Sequence, residues 1–159
     1  MSSSTLIVDC EKIPTIFEGW SIPEKLQLQN RVRGLLIWNP ENADLFLPQE
    51  QRSGGSIGDD LYWELVTSCV FPSNLLFEFL KRENWRFIPK KWKEKKIFFW
   101  GTIYLDDKGE PCVLCLSWNG GGWDWLPYYF HYEWQIDSPA LVYSNKKTVS
   151  LVLRSGFSF

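Results

Sequence analysis

Two thiols three residues apart, Cys112 and Cys115 in PCVLCL (111–116), have the spacing of redox and zinc sites. If the segment is a strand, residues three apart point to opposite faces, so the two thiols share neither a metal nor an unstrained disulfide. No second pair stands ready to complete four ligands. They read as buried structural cysteines, while Cys10 and Cys69 are isolated. The chain has one histidine, His131 in YYFHYEW (128–134), so a nucleophile would depend on that ring or on a carboxylate for its base. Asp106-Asp107 is explained by a turn and Asp59-Asp60 by a helix cap. Asp124 stands between two tryptophans, but strand alternation points it away from both. An enzyme would need a pocket converging on His131, Glu133 or Asp137. No catalytic residue, metal site or cofactor is assigned.

Binding chemistry is better represented. GGSIGDD (54–60) lacks the lysine and hydroxyl of a phosphate loop and reads as a loop only. Between Lys81 and Lys96 there are eight basic residues against Glu83 and Glu94, interleaved with Trp85, Phe87 and Trp92. Lys90, Lys91, Lys93, Lys95 and Lys96 with Trp92 could hold single-stranded nucleic acid by phosphate contact and base stacking. The competing reading is a solvated connector with its rings in the core, favoured because the whole chain carries a charge of -2. The third feature is SWNGGGWDW (117–125), in a chain of ten tryptophans. Rigid rings there could stack on a sugar, a base or a partner's apolar patch.

These residues need elements to hold them, and the pattern is that of an α+β chain whose antiparallel sheet is built on a C-terminal meander, about 97–153. Two short helices, about 59–68 and 74–84, are expected to pack on one face. KIFFWGTIYL, a turn at DDKG and PCVLCLSW spell a hairpin in which Tyr104 faces Cys112, Trp100 faces Leu116 and Phe98 faces Trp118. A second reversal at Asn119–Gly122 pairs Trp118 with Trp123 and sets Trp125 beside Leu116. One face then collects Phe98, Trp100, Trp118, Trp123 and Trp125. The other carries Ile97, Phe99, Gly101, Ile103, Val113, Cys115 and Leu126, with the glycine gap suited to close packing of a helix. Upstream, RGLLIWNPENADLFLP (33–48) reads as strand, turn, strand.

Several of these stretches resemble, in order and content, a family of small bacterial proteins to which no function is attached. They are EGWSIPE (18–24), LLIWNPENADLFLPQEQ (35–51), IPKKWKEKKIFFWGTIYLDDKG (88–109), LSWNGGGWDW (116–125) and SPALV (138–142). The chain departs from that pattern in its basic PKKWKEKK and in its C-terminal SNKKTVSLVLRSGFSF. The resemblance implies one folded domain over 1–159 and no mechanism. The N-terminal residues show neither a basic region nor a long apolar run, so a cytoplasmic protein without a membrane segment is expected. The leading expectation is a non-enzymatic interaction module that uses Trp118, Asn119, Trp123, Trp125 and Tyr128 to contact a protein or carbohydrate. Single-stranded nucleic-acid binding through the basic segment is the alternative, and an enzyme of unknown reaction the third.

Overall fold

The longest element is a hairpin, because PCVLCLSW and WDWLPYY are rich in β-branched and aromatic residues and are separated by a glycine-rich reversal. The computed structural model describes residues 5–144. Its strands are β1 (Ile7–Asp9), β2 (Leu35–Ile37), β3 (Ala43–Phe46), β4 (Ser56–Ile57), β5 (Ile97–Phe98), β6 (Tyr104–Leu105), β7 (Pro111–Trp118), β8 (Trp123–Tyr129), β9 (Glu133–Trp134) and β10 (Ala140–Tyr143). The α-helices are α1 (Gln49–Arg52), α2 (Gly58–Glu64) and α3 (Ser73–Leu80), with 3₁₀ turns at Arg82–Phe87 and Lys90–Glu94. The fold is α+β. Its main sheet is antiparallel except where β10 meets β5 at Ala140 and Phe98. The strand expected near 148–153 lies outside the described residues.

β7 is the centre of this sheet. Along one edge it pairs with β8, with Trp118 opposite Trp123 and Leu116 opposite Trp125, as the alternation requires. Along the other it pairs first with β5 and then with β6, and here the expected register fails. Tyr104 does face Cys112, but Phe98 faces Cys115 rather than Trp118. Five residues, Phe99 to Ile103, therefore stand against two, Val113 and Leu114. The surplus is odd, so Phe98 changes face relative to an unbroken ladder.

The detour is held by residues remote in sequence. Gly101 N–H donates to the Phe71 carbonyl (2.8 Å), and Ser73 N–H donates to Thr102 Oγ1 (2.9 Å). Gln27 closes the far end, taking Ile103 N–H on its Oε1 and giving Nε2–H to the Ile103 carbonyl, both at 2.8 Å. A Cβ on Gly101 would lie 2.5 Å from Phe71 C and Pro72 N, so the glycine gap does admit a close approach, by the backbone that leads into α3.

Two cores result, one on each face of β7. On the first, Cys112, Leu114, Leu116, Ile97, Phe99 and Trp123 pack with Leu75, Leu76 and Phe79 of α3 and with Leu36 and Trp38 from the N-terminal half. On the second, Val113, Cys115, Phe98, Trp100, Phe130 and Trp134 pack with Leu61 of α2 and with Leu65 at its C-cap. The helices thus cover opposite faces, not one. An apolar stripe at helical spacing requires burial and says nothing of which side supplies it. Phe98 and Trp100 are fully buried in the second core, against Trp134 at 4.3 and 5.0 Å between ring centroids, away from Trp118 and Trp125.

α3 is shorter than its apolar run suggests. It stops at Leu80 because Lys81 turns extended, and Asn84 Nδ2 donates to the Glu78 carbonyl (2.7 Å), satisfying part of the helix end. At its start neither Ser73 nor Asn74 caps through its side chain. Ser73 Oγ instead pairs with the Tyr104 hydroxyl at 2.8 Å, and Asn74 Nδ2 donates to the carbonyls of Asp9 and Lys12. α2 likewise begins without a side-chain cap, so Asp59 and Asp60 lie in its first turn, where the helix dipole favours acids. The reversal at Asn39-Pro40 does form, but β2 and β3 part company after it: β2 pairs with β1 and β3 with β10.

Candidate functional site

The reversal after β7 is built by Asn119. Its N–H donates to the Gly122 carbonyl (3.0 Å), and its Oδ1 accepts from the N–H groups of Gly121 (3.0 Å) and Gly122 (2.9 Å). Asn119 is exposed, but its acceptor is committed to the turn. Gly122 lacks a side chain for a reason that the sequence hides, since a Cβ there would stand 2.6 Å from Trp85 Cη2. Trp85 belongs to the basic segment, and it also meets Trp118 edge to face with centroids 6.4 Å apart.

The basic segment and the hairpin end therefore form one surface. Lys93 Nζ lies 4.0 Å from the Trp118 ring centroid, and Arg82 Cζ lies 5.4 Å from that of Trp85. Trp85 and Trp118 are both half-buried, while Arg82, Lys90, Lys91 and Lys93 are exposed. Trp123 is buried against Trp118 at 5.3 Å. Trp125 lies under Phe17, stacked at 4.7 Å with the planes 10° apart.

The remaining candidate residues go elsewhere. Tyr128 is on the opposite face, opposite Val113, where it packs on Phe98 (5.5 Å) and Trp134 (4.9 Å). Alternation already separates it from Trp123 and Trp125, since it is an odd number of residues from both. Trp92 is only 3 % exposed and sits between Trp38 and Phe79, so it has no ring face to offer a base. Lys95 and Lys96 are half-buried, and Lys96 Nζ lies 5.6 Å from Tyr128 on the second face. Of the candidates, Trp118, Asn119 and Lys93 are brought together, while Lys90 is exposed and Lys91 lines a groove with Asp44, Leu45 and Phe87. Trp85 joins them through its long-range contact with Trp118 and its approach to Gly122, and Arg82 joins through Trp85.

The chemistry-bearing groups are placed as follows. Cys112 and Cys115 lie on opposite faces of β7, and burial pushes both thiols up to about 12. His131 is exposed with Nδ1 4.0 Å from Glu110 Oε2. Asp124 Oδ1 accepts from Trp125 N–H (2.8 Å). The Asp137 carbonyl accepts from Lys96 N–H and its carboxylate from Ser138 Oγ. Among the described residues no group of three histidine, cysteine or acidic side chains is placed to hold a metal ion. No helix among them is long and apolar enough to cross a membrane.

One further aromatic surface is open. Trp63 on α2 is 70 % exposed and rims a groove of about 460 Å³ with Leu26, Tyr62, Pro111 and Phe130. Compared with known proteins, the chain matches no protein-family model, no curated protein and no solved structure.

Proposed function

We propose that the chain is a cytoplasmic, non-enzymatic interaction module whose contact surface is the joint between the 118–125 hairpin end and the basic segment, and that its ligand is a single-stranded polyanion. The observation that carries this reading is the placement of Lys93 over Trp118 beside Trp85 and Arg82. A neutral sugar would have to displace a cation from each ring to stack. A phosphate chain draws the Lys93 ammonium from the indole onto its own oxygen, which frees the ring for a flat base. Asn119 and the glycines beside it keep the rim low, so an extended strand passes without a steric barrier. Four free cysteines fit a reducing compartment.

A fluorescence titration with a thymidine dodecamer tests the reading. With three or four phosphates neutralised, log K is expected to fall with log salt at a slope of about -2 to -3. Lys93→Gln and Arg82→Gln should each weaken binding several-fold. No binding at millimolar oligonucleotide, or binding indifferent to both substitutions, refutes it. Salt-independent binding of a neutral glycan would return the site to the aromatic residues alone.

A further inference from the structure

Among the described residues β2 presents an open edge. Its pairing with β1 sets Ile7 opposite Ile37, Val8 opposite Leu36 and Asp9 opposite Leu35. Trp38 N–H donates to the Leu6 carbonyl (2.9 Å) and Cys10 N–H to that of Gly34 (2.8 Å), so the mutually bonded pairs fall at Leu36 and its even-numbered neighbours. The N–H and C=O groups of Leu35 and Ile37 consequently point away from β1. Among the described residues nothing bonds to them.

The side chains at this edge are as unusual as its backbone. Leu35 is 74 % exposed, Ile37 is 64 % exposed, and Ile7 beside them is 56 % exposed. Proteins blunt such an edge with lysine, proline or a covering loop, and among the described residues β2 has none of these on its outer side. The edge opens into a groove of about 480 Å³ walled by Arg31, Arg33, Leu35, Ile37, Cys69 and Tyr143. Among the described residues no acid lines this groove, and its charged side chains are Arg31 and Arg33. Among the described residues Arg33 Nη2 donates to the Gln29 carbonyl (3.2 Å), while Arg31 Nη1 donates to the Leu28 carbonyl (2.9 Å) and its Nη2 lies 3.9 Å from Glu24.

We infer that β2 accepts an extended segment of a protein partner as an added strand. The free backbone groups of Leu35 and Ile37 pair with the partner's main chain, its aliphatic side chains pack on Leu35, Ile37 and Ile7, and its carboxylates meet Arg31 and Arg33. Charge complementarity selects an acidic, aliphatic segment over a basic one. This edge is separate from the hairpin surface and does not depend on the function proposed for it.

The probe is a fluorescein-labelled octapeptide of alternating valine and glutamate, added to the full chain. It is expected to bind saturably, and a copy N-methylated at alternate amides, which cannot pair with the edge, should bind at least ten-fold more weakly. A lysine-for-glutamate copy should also lose at least ten-fold. Ile37→Pro removes an N–H that β1 does not use, so it should weaken binding by a similar factor while the far-ultraviolet spectrum is retained. If that variant fails to fold, the N-methylated peptide decides alone. Hydrogen exchange should show the Leu35 and Ile37 amides unprotected in the free chain and slowed by the peptide. No binding at 1 mM peptide, or equal binding of the N-methylated copy, overturns the inference. So does protection of both amides in the free monomer, which makes the chain its own occupant, or protection that appears only in a dimer seen by sedimentation, which makes a second copy the occupant.

Discussion

Gly101→Ala tests whether the break in the sheet is dictated by the close passage of the chain before α3. The added Cβ would stand 2.5 Å from Phe71 C and Pro72 N and 2.6 Å from the Phe71 carbonyl oxygen, where ordinary contact begins near 3.4 Å. All three are backbone atoms, so no side chain can rotate aside. Relief requires the two segments to part by roughly 1 Å, the shortfall between those distances. Such overpacking costs about 1–3 kcal/mol. The same movement stretches the Gly101–Phe71 and Ser73–Thr102 hydrogen bonds, and each buried bond lost costs about 1 kcal/mol. The sum is about 3–5 kcal/mol, which for a chain of this size lowers the melting temperature by roughly 6–20 °C. Gly121→Ala is the control, since its Cβ would meet nothing nearer than Asn119 Oδ1 at 3.8 Å. Thermal melts by circular dichroism, supported by urea titrations, compare the two. If Gly101→Ala melts within about 2 °C of the unaltered chain, the packing argument for the detour is wrong.

The placement of the rings makes Trp63 the main target of iodide, because Trp92, Trp100 and Trp134 are at most 3 % exposed; Trp63→Phe should remove most of the quenchable emission, and undiminished quenching would contradict the burial described. Burial of Tyr104 pushes its hydroxyl to about 12 from an ordinary 10, so the folded state favours the neutral phenol. That contribution, about 2–3 kcal/mol, is full below pH 10 and is lost as pH rises through 12. Cys112 and Cys115, also near 12 against an ordinary 9, start the decline earlier. The urea midpoint should therefore fall between pH 8 and pH 10.5, and an unchanged midpoint would refute the assignment. The same two thiols should resist a thiol reagent at pH 8 until denaturant is added. Gly122→Ala drives a methyl against Trp85 Cη2, 2.6 Å away, without altering charge; oligonucleotide affinity should drop several-fold, and unaltered affinity would detach Trp85 from the site.

The hairpin from Pro111 to Tyr129 was legible because its alternation, its Asn119–Gly122 reversal and its β-forming residues all agree. IFFWGTIY reads as one strand in sequence, but only its ends, Ile97–Phe98 and Tyr104, are strand, and the register differs. It is apolar or small at nearly every position, so alternation cannot tell a continuous ladder from one with three residues looped out. What diverts it are partners at Gln27, Phe71 and Ser73, and no local pattern announces a bond across such a separation. The site was half legible for the same reason. The basic run and the tryptophan run were each visible, whereas their union depends on Trp85 filling the space over Gly122, one of three adjacent glycines that look alike in sequence. The burial of Trp92 agrees with the connector reading, in which the rings of the basic segment turn to the core: its neighbours are Trp38 and Phe79.

The indole N–H resonances of a ¹⁵N-labelled chain test most directly the proposed action of the hairpin end and the basic segment as one contact surface. On titration with thymidine dodecamer, the signals of Trp85 and Trp118 should move together, with one saturation curve, while those of Trp100 and Trp134 in the second core stay in place. Movement of Trp63 alone, or of Trp118 without Trp85, would contradict the account.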